Sequence, residues 1–142
     1  MNFEKLLREE KIERVEKKEF SSDSVENSLL FARKGLESGH YDEVLSIVYN
    51  SIFRICNTFM NYLGYRAIGK EHHKNLFEFL FQTGLDTELV SYFDIIRKKR
   101  NDFIYRNVEI ISKEESEEMI LRAQEFVQEI RTFVQKKRTW RK

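Results

Sequence analysis

Residues 42–64 read DEVLSIVYNSIFRICNTFMNYLG, and this stretch decides the fold class. Leu45, Val48, Tyr49, Ile52, Ile55, Cys56, Phe59 and Leu63 recur at three- and four-residue spacing, with Phe53 and Met60 widening the stripe. That period places them on one face of a helix and rules out the two-residue alternation of a half-buried strand. Asp42 suits the start of this helix and Gly64 its end. The opposite face, Ser46, Asn50, Arg54, Asn57 and Asn61, is polar but nearly uncharged. A freely solvated helix face normally carries Lys and Glu, so this face reads either as covered or as an Asn-rich surface.

Outward from this central helix the same period recurs. Upstream, Ser21-Ser22-Asp23-Ser24 is a cluster of N-cap residues, followed by Val25, Leu29, Ala32 and Leu36 and a stop at Gly39. The short turn Ser38–Asp42 predicts that these two helices lie antiparallel. Downstream, Tyr65–Lys70 reads as a loop and residues 71–82 as a short helix with Leu76, Phe77, Leu80 and Phe81. Asp86 or Thr87 caps a helix over 87–104. Ser112-Lys113-Glu114-Glu115 reads as a capping box that opens a last helix to about residue 137, with Met119, Ala123, Phe126, Ile130 and Phe133 on one face. The charge-dense segment 2–18 carries only Phe3, Leu6, Leu7, Ile12 and Val15, a thin helical stripe.

The expected architecture is therefore all-α: an up-and-down bundle of four main helices with an additional N-terminal helix and one short helix. The expected boundaries are an accessory helix over 1–20, the bundle over 21–138 and a basic tail over 139–142.

Composition agrees. The chain has 142 residues, twelve Phe and six Tyr, enough bulk for one core and against disorder. Five Gly and no Pro are too few for a turn-rich β-fold. A net charge of +1 excludes indiscriminate polyanion binding and leaves attraction to local patches. One cysteine, Cys56, excludes an internal disulfide. The opening Met1-Asn2-Phe3-Glu4-Lys5 is not signal-like, and no charge-free run reaches the roughly 18 residues of a membrane span. A cytoplasmic protein without membrane contact is expected.

One position breaks the pattern. Leu89, Phe93, Ile96, Arg100 and Phe103 lie at i, i+4, i+7, i+11 and i+14, so an arginine sits within an apolar stripe. A guanidinium cannot shed its charge, and burying it unpaired costs several kcal/mol. A carboxylate such as Asp102 or Glu109, a wet cleft between subunits, or an anionic ligand would each compensate. Alternatively the side chain snorkels to water along its own stem. Arg97, Lys98, Lys99 and Arg106 add positive charge nearby, and Asn101, Asp102 and Tyr105 add hydrogen-bonding groups. On composition this is a phosphate-contacting patch with an aromatic for stacking.

The stretch Arg100-Asn101-Asp102-Phe103-Ile104-Tyr105 at a helix end resembles the signature of HEPN domains: Arg, a polar residue, a few variable positions and then His, with Tyr at the His position in some branches. Residues 111–118 and Ala123-Gln124-Glu125-Phe126 resemble the family's capped last helix. Residues 32–43 resemble its first helix and turn, and Tyr49-Asn50-Ser51-Ile52-Phe53 falls where many members are Tyr-rich. The likeness runs from about Val25 to Val134.

This resemblance implies a bundle of four or five helices, usually a homodimer. Many members are metal-independent endoribonucleases, including toxins of toxin–antitoxin pairs. Others are RNA- or nucleotide-binding modules, often partnered with a small nucleotidyltransferase. In active members the Arg and His sit in a cleft at the dimer interface, supported by the polar residue. Arg100 then matches the Arg and Asn101 the polar residue, and Tyr105 stands at the His position. A phenol with a pKa of about 10 is a poor base at neutral pH, which argues for reduced or absent nuclease activity.

The expected site is thus Arg100, Asn101 and Tyr105 at its centre. Arg97, Lys98, Lys99, Asp102, Arg106 and His73 contact phosphate or nucleic acid, and His73 is included as a possible replacement for the absent motif histidine. The rival expectation is a non-catalytic interaction module in which Arg100 is a structural ion-pair residue. No metal and no cofactor are expected: His72 and His73 are adjacent on a helix and point about 100° apart, so they do not chelate one ion together. No glycine-rich phosphate loop is present.

Overall fold

The computed structural model describes residues 1–106 and 111–140, with side chains described to Asn101 and from Ile111 to Arg138. It is an all-α helical bundle with a small two-stranded antiparallel sheet, whose strands flank α2 and α3 in the chain. The elements are α1 (Glu4–Arg8), β1 (Ile12–Arg14), α2 (Asp23–Glu37), α3 (Tyr41–Leu63), β2 (Tyr65–Ala67), α4 (His72–Phe81), α5 (Thr87–Arg106) and α6 (Lys113–Trp140).

Helix α3 is the axis of the core. Val44, Leu45, Val48, Tyr49, Ile52, Ile55, Cys56, Phe59 and Met60 are all inaccessible to solvent. α2, α5, α6 and α4 pack around it. Phe59 meets Phe133 of α6 edge to face at 5.2 Å, and Phe93 of α5 meets Phe126 of α6 at 5.5 Å. Such pairs add about 0.5–1.5 kcal/mol beyond the burial of their area. The polar face of α3 is only partly covered: Ser46, Asn57 and Asn61 are half-buried, while Asn50 and Arg54 are exposed. Arg54 donates to Ser28 Oγ of α2 at 2.6 Å.

The helix ends follow local chemistry. α2 stops in a Schellman turn: Gly39 has φ 78°, its N–H donates to Leu36 O at 3.1 Å, and His40 N–H donates to Gly35 O at 2.9 Å. Asp86 Oδ1 accepts the N–H of Glu88 at 2.8 Å and caps α5. Ser112 Oγ accepts the N–H of Glu115 at 3.1 Å and caps α6. Two expected caps differ. Ser22 before α2 makes no side-chain cap bond, while Ser21 Oγ of the expected cluster accepts the N–H of Asp23 at 3.4 Å. His40 before α3 makes none, and α3 begins at Tyr41, so Asp42 lies inside its first turn.

The N-terminal segment also differs from expectation. In place of one accessory helix over 1–20 there is a five-residue helix and a strand, and Tyr65–Ala67 is a strand rather than a loop. The strands pair antiparallel, Ile12 opposite Ala67, Glu13 opposite Arg66 and Arg14 opposite Tyr65. Glu10, at φ 57°, takes a left-handed conformation that ends the helical path. Phe3 then stacks on Phe79 at 4.2 Å and meets Tyr65 edge-on at 5.0 Å, and Leu6 and Ile12 are buried with it. Glu13 and Arg66 form a cross-strand ion pair. The segment is thus part of the bundle's core.

Candidate anion site between α3, α4 and α5

The site is assembled around Tyr49. A tyrosine within an apolar helical stripe buries its ring, but its hydroxyl still requires a partner. That partner comes from the first turn of α4: Tyr49 Oη lies 2.8 Å from His73 Nδ1. Phe53, one turn along α3, stacks on the His73 ring at 3.8 Å and 12°. His72 sets its ring edge-on to His73 at 4.6 Å, with its Nδ1 3.2 Å from Gly69 O.

Helix α5 supplies the charge. Asp94, Arg97 and Arg100 recur every three residues and share a face. Arg97 Nε donates to Asp94 Oδ1 at 2.9 Å, and the Arg97 side chain is only 14% exposed. Arg100 lies over the Tyr49 ring, Cζ 5.1 Å from the centroid, within the range of a cation–π contact. Its Nε is buried and has no hydrogen-bond partner among the described residues. The quadrupole of a ring compensates part of a guanidinium's charge but accepts no N–H in its plane, so one strong donor stays unmet.

The fields of this cluster act on its titratable members. Burial, aided by His72, Arg100 and Arg97, pulls the His73 pKa down to about 4. Burial raises the Tyr49 phenol far above its usual range, although Arg100 and Arg97 pull the other way. Both groups are neutral at pH 7, and among the described residues the charges beside them are Arg97, Arg100 and Asp94.

Among the described residues, the expected basic stretch is divided. Arg97 and Arg100 face Tyr49. Lys99 reaches α6 instead, where its Nζ pairs with Glu115 Oε2 at 2.8 Å, and that contact lowers the Glu115 pKa. Lys98 and Asn101 are exposed. Glu109 and the side chains of Asp102, Phe103, Tyr105 and Arg106 lie outside the described residues. Sequence reasoning missed Asp94 as the partner of Arg97, and it assigned Tyr49 and Phe53 to the core alone. An aromatic hydroxyl in a buried stripe was the available signal for Tyr49.

Cys56 is wholly buried, and burial raises its thiol pKa. Among the described residues, no group of three or more His, Cys, Asp or Glu side chains is arranged to hold a metal ion. Among the same residues no helix is long and apolar enough to cross a membrane.

No curated protein and no solved structure matches the chain. The family model described as HEPN domain matches residues 23–133, which span α2 through most of α6 and include the whole α3–α4–α5 cluster. On that match, and with the helical bundle in agreement, the chain belongs to the HEPN domain family.

Proposed function

We propose that this domain binds RNA through a backbone phosphate held by Arg100, with Arg97 adding to the local positive potential. The observation that carries this reading is the buried Nε of Arg100 above the Tyr49 ring, which has no hydrogen-bond partner among the described residues. A phosphate oxygen is the natural acceptor for it, because a guanidinium presents its donors as a planar fork that matches an oxyanion. Arg97, tied to Asp94, is pre-positioned and loses little entropy on binding. The overall charge of +1 leaves recognition to this local feature.

The test is the anisotropy of a fluorescein-labelled single-stranded oligouridylate, titrated with wild type and Arg100→Ala across a salt series. Losing one phosphate contact should weaken binding by about 1–2 kcal/mol and flatten the log–log salt slope by roughly 0.7. The far-UV dichroism should be unchanged. Equal affinity and slope in the variant would reject the assignment. Cleavage of the same oligonucleotide, followed on a gel, separates a ribonuclease from a binding module.

The same nitrogen could instead be satisfied by a carboxylate of a second subunit or of a protein partner. In that case Arg100→Ala lowers the sedimentation coefficient or the melting temperature and leaves RNA affinity unchanged.

A further inference from the structure

The hydroxyl of Tyr49 is buried, and His73 Nδ1 at 2.8 Å is the acceptor the fold gives it. If Nδ1 carried the ring proton, the phenolic hydrogen would have no acceptor among the described contacts, at a cost comparable to a lost hydrogen bond. The satisfied arrangement has O–H donating to Nδ1. A neutral imidazole has one N–H, which this arrangement assigns to Nε2, on the side of the ring turned away from Tyr49. Phe53 covers one face of the ring at 3.8 Å and His72 stands edge-on at 4.6 Å, which favours this ring plane.

We propose that His73 is a ligand-binding residue of this site: a neutral imidazole whose Nε2–H donates to the phosphate held by Arg100, with its tautomer fixed by the Tyr49 hydroxyl. One tyrosine then organises both donors, carrying Arg100 on its ring and His73 on its oxygen. Among the described residues, the groups acting on His73 are His72 on its own helix, Arg97 and Arg100 on α5, and Tyr49 of α3, which is hydrogen-bonded to it. Their balance is positive and disfavours a second proton on the ring. A further consequence is chemical. With Nδ1 occupied as acceptor and Nε2 occupied by hydrogen, the ring has no free lone pair to take a 2′-hydroxyl proton. His73 therefore recognises phosphate and does not replace the motif histidine as a general base.

This inference rests on the RNA-binding reading, and the two fail differently. In full-length, ¹⁵N-labelled protein at neutral pH, long-range ¹H–¹⁵N correlations should report the Nε2–H tautomer for His73. Oligouridylate should shift its Nε2 and Nε2–H signals. His73→Ala should weaken oligouridylate binding roughly tenfold, the effect of one lost hydrogen bond to an anion, and His73→Gln, which keeps an amide donor near the Nε2 position, should recover much of it. Tyr49→Phe keeps the ring under Arg100 and should yield a mixture of tautomers. The Nδ1–H tautomer in wild type, or an unperturbed His73 ring in a complex that still depends on Arg100, overturns the inference alone. Binding indifferent to Arg100→Ala, or no binding, overturns both.

Discussion

The guanidinium of Arg100 lies on the ring of Tyr49, 5.1 Å from its centroid, and the two residues come from helices separated by β2 and α4. The aromatic face offers the charge a partial counterpart but leaves Nε without an acceptor among the described residues. The same ring is pinned by its hydroxyl to His73. Tyr49 is therefore both a core residue and the floor of the candidate site.

These two roles separate by mutation. Tyr49→Phe removes only the hydroxyl and leaves His73 Nδ1 unpaired, so it should cost about 1–2 kcal/mol. Tyr49→Ala also removes a wholly buried ring and should cost about 3–5 kcal/mol. Urea denaturation of both variants checks the ordering, and similar losses would contradict it.

His73 makes stability depend on pH. Its pKa falls from 6.5 to about 4 on folding, so between these values the unfolded chain binds more protons. Stability contributed by the neutral ring is full above pH 6.5 and is lost as pH falls toward 4. The ring is half-exposed, which discounts the effect to about 1 kcal/mol. Melting temperatures of wild type and His73→Gln should converge as the pH is lowered through this window. Parallel curves would show that the folded-state shift is absent.

The N-terminal segment, α1 and β1, should behave as core. Phe3 packs against both Phe79 and Tyr65, which also touch each other, and Ile12 is 2% exposed. Phe3→Ala and Ile12→Ala should each cost about 2–5 kcal/mol in chemical denaturation. An accessory segment would give losses below about 0.5 kcal/mol.

Ser112 caps α6 through the amide of Glu115. Ser112→Ala should destabilise by about 1 kcal/mol, and Ser112→Asp should not. Thermal melts of the two variants measure the difference.

The long elements were legible because their apolar residues repeat at helical spacing with unambiguous ends. α3, α4, α5 and α6 lie within a few residues of their expected bounds, and the caps at Asp86 and Ser112 form as read. The strand pair was not legible. Each strand has three residues, too few to display alternation, and its partner lies beyond α2 and α3 in the chain. Arg100 stood out because its charge contradicts its stripe. Which basic neighbours join it was hidden, because the outcome depends on where acids on other turns and helices lie. Asp94 claims Arg97 and Glu115 claims Lys99.

The most direct measurement follows the Nε–H resonance of Arg100 in ¹⁵N-labelled protein as oligouridylate is added, with Arg100→Lys used to assign the signal. The account predicts a saturable shift and slowed solvent exchange of that proton as it gains a phosphate acceptor, in step with the anisotropy change. An Nε–H signal that stays fixed while the RNA saturates the protein would contradict it.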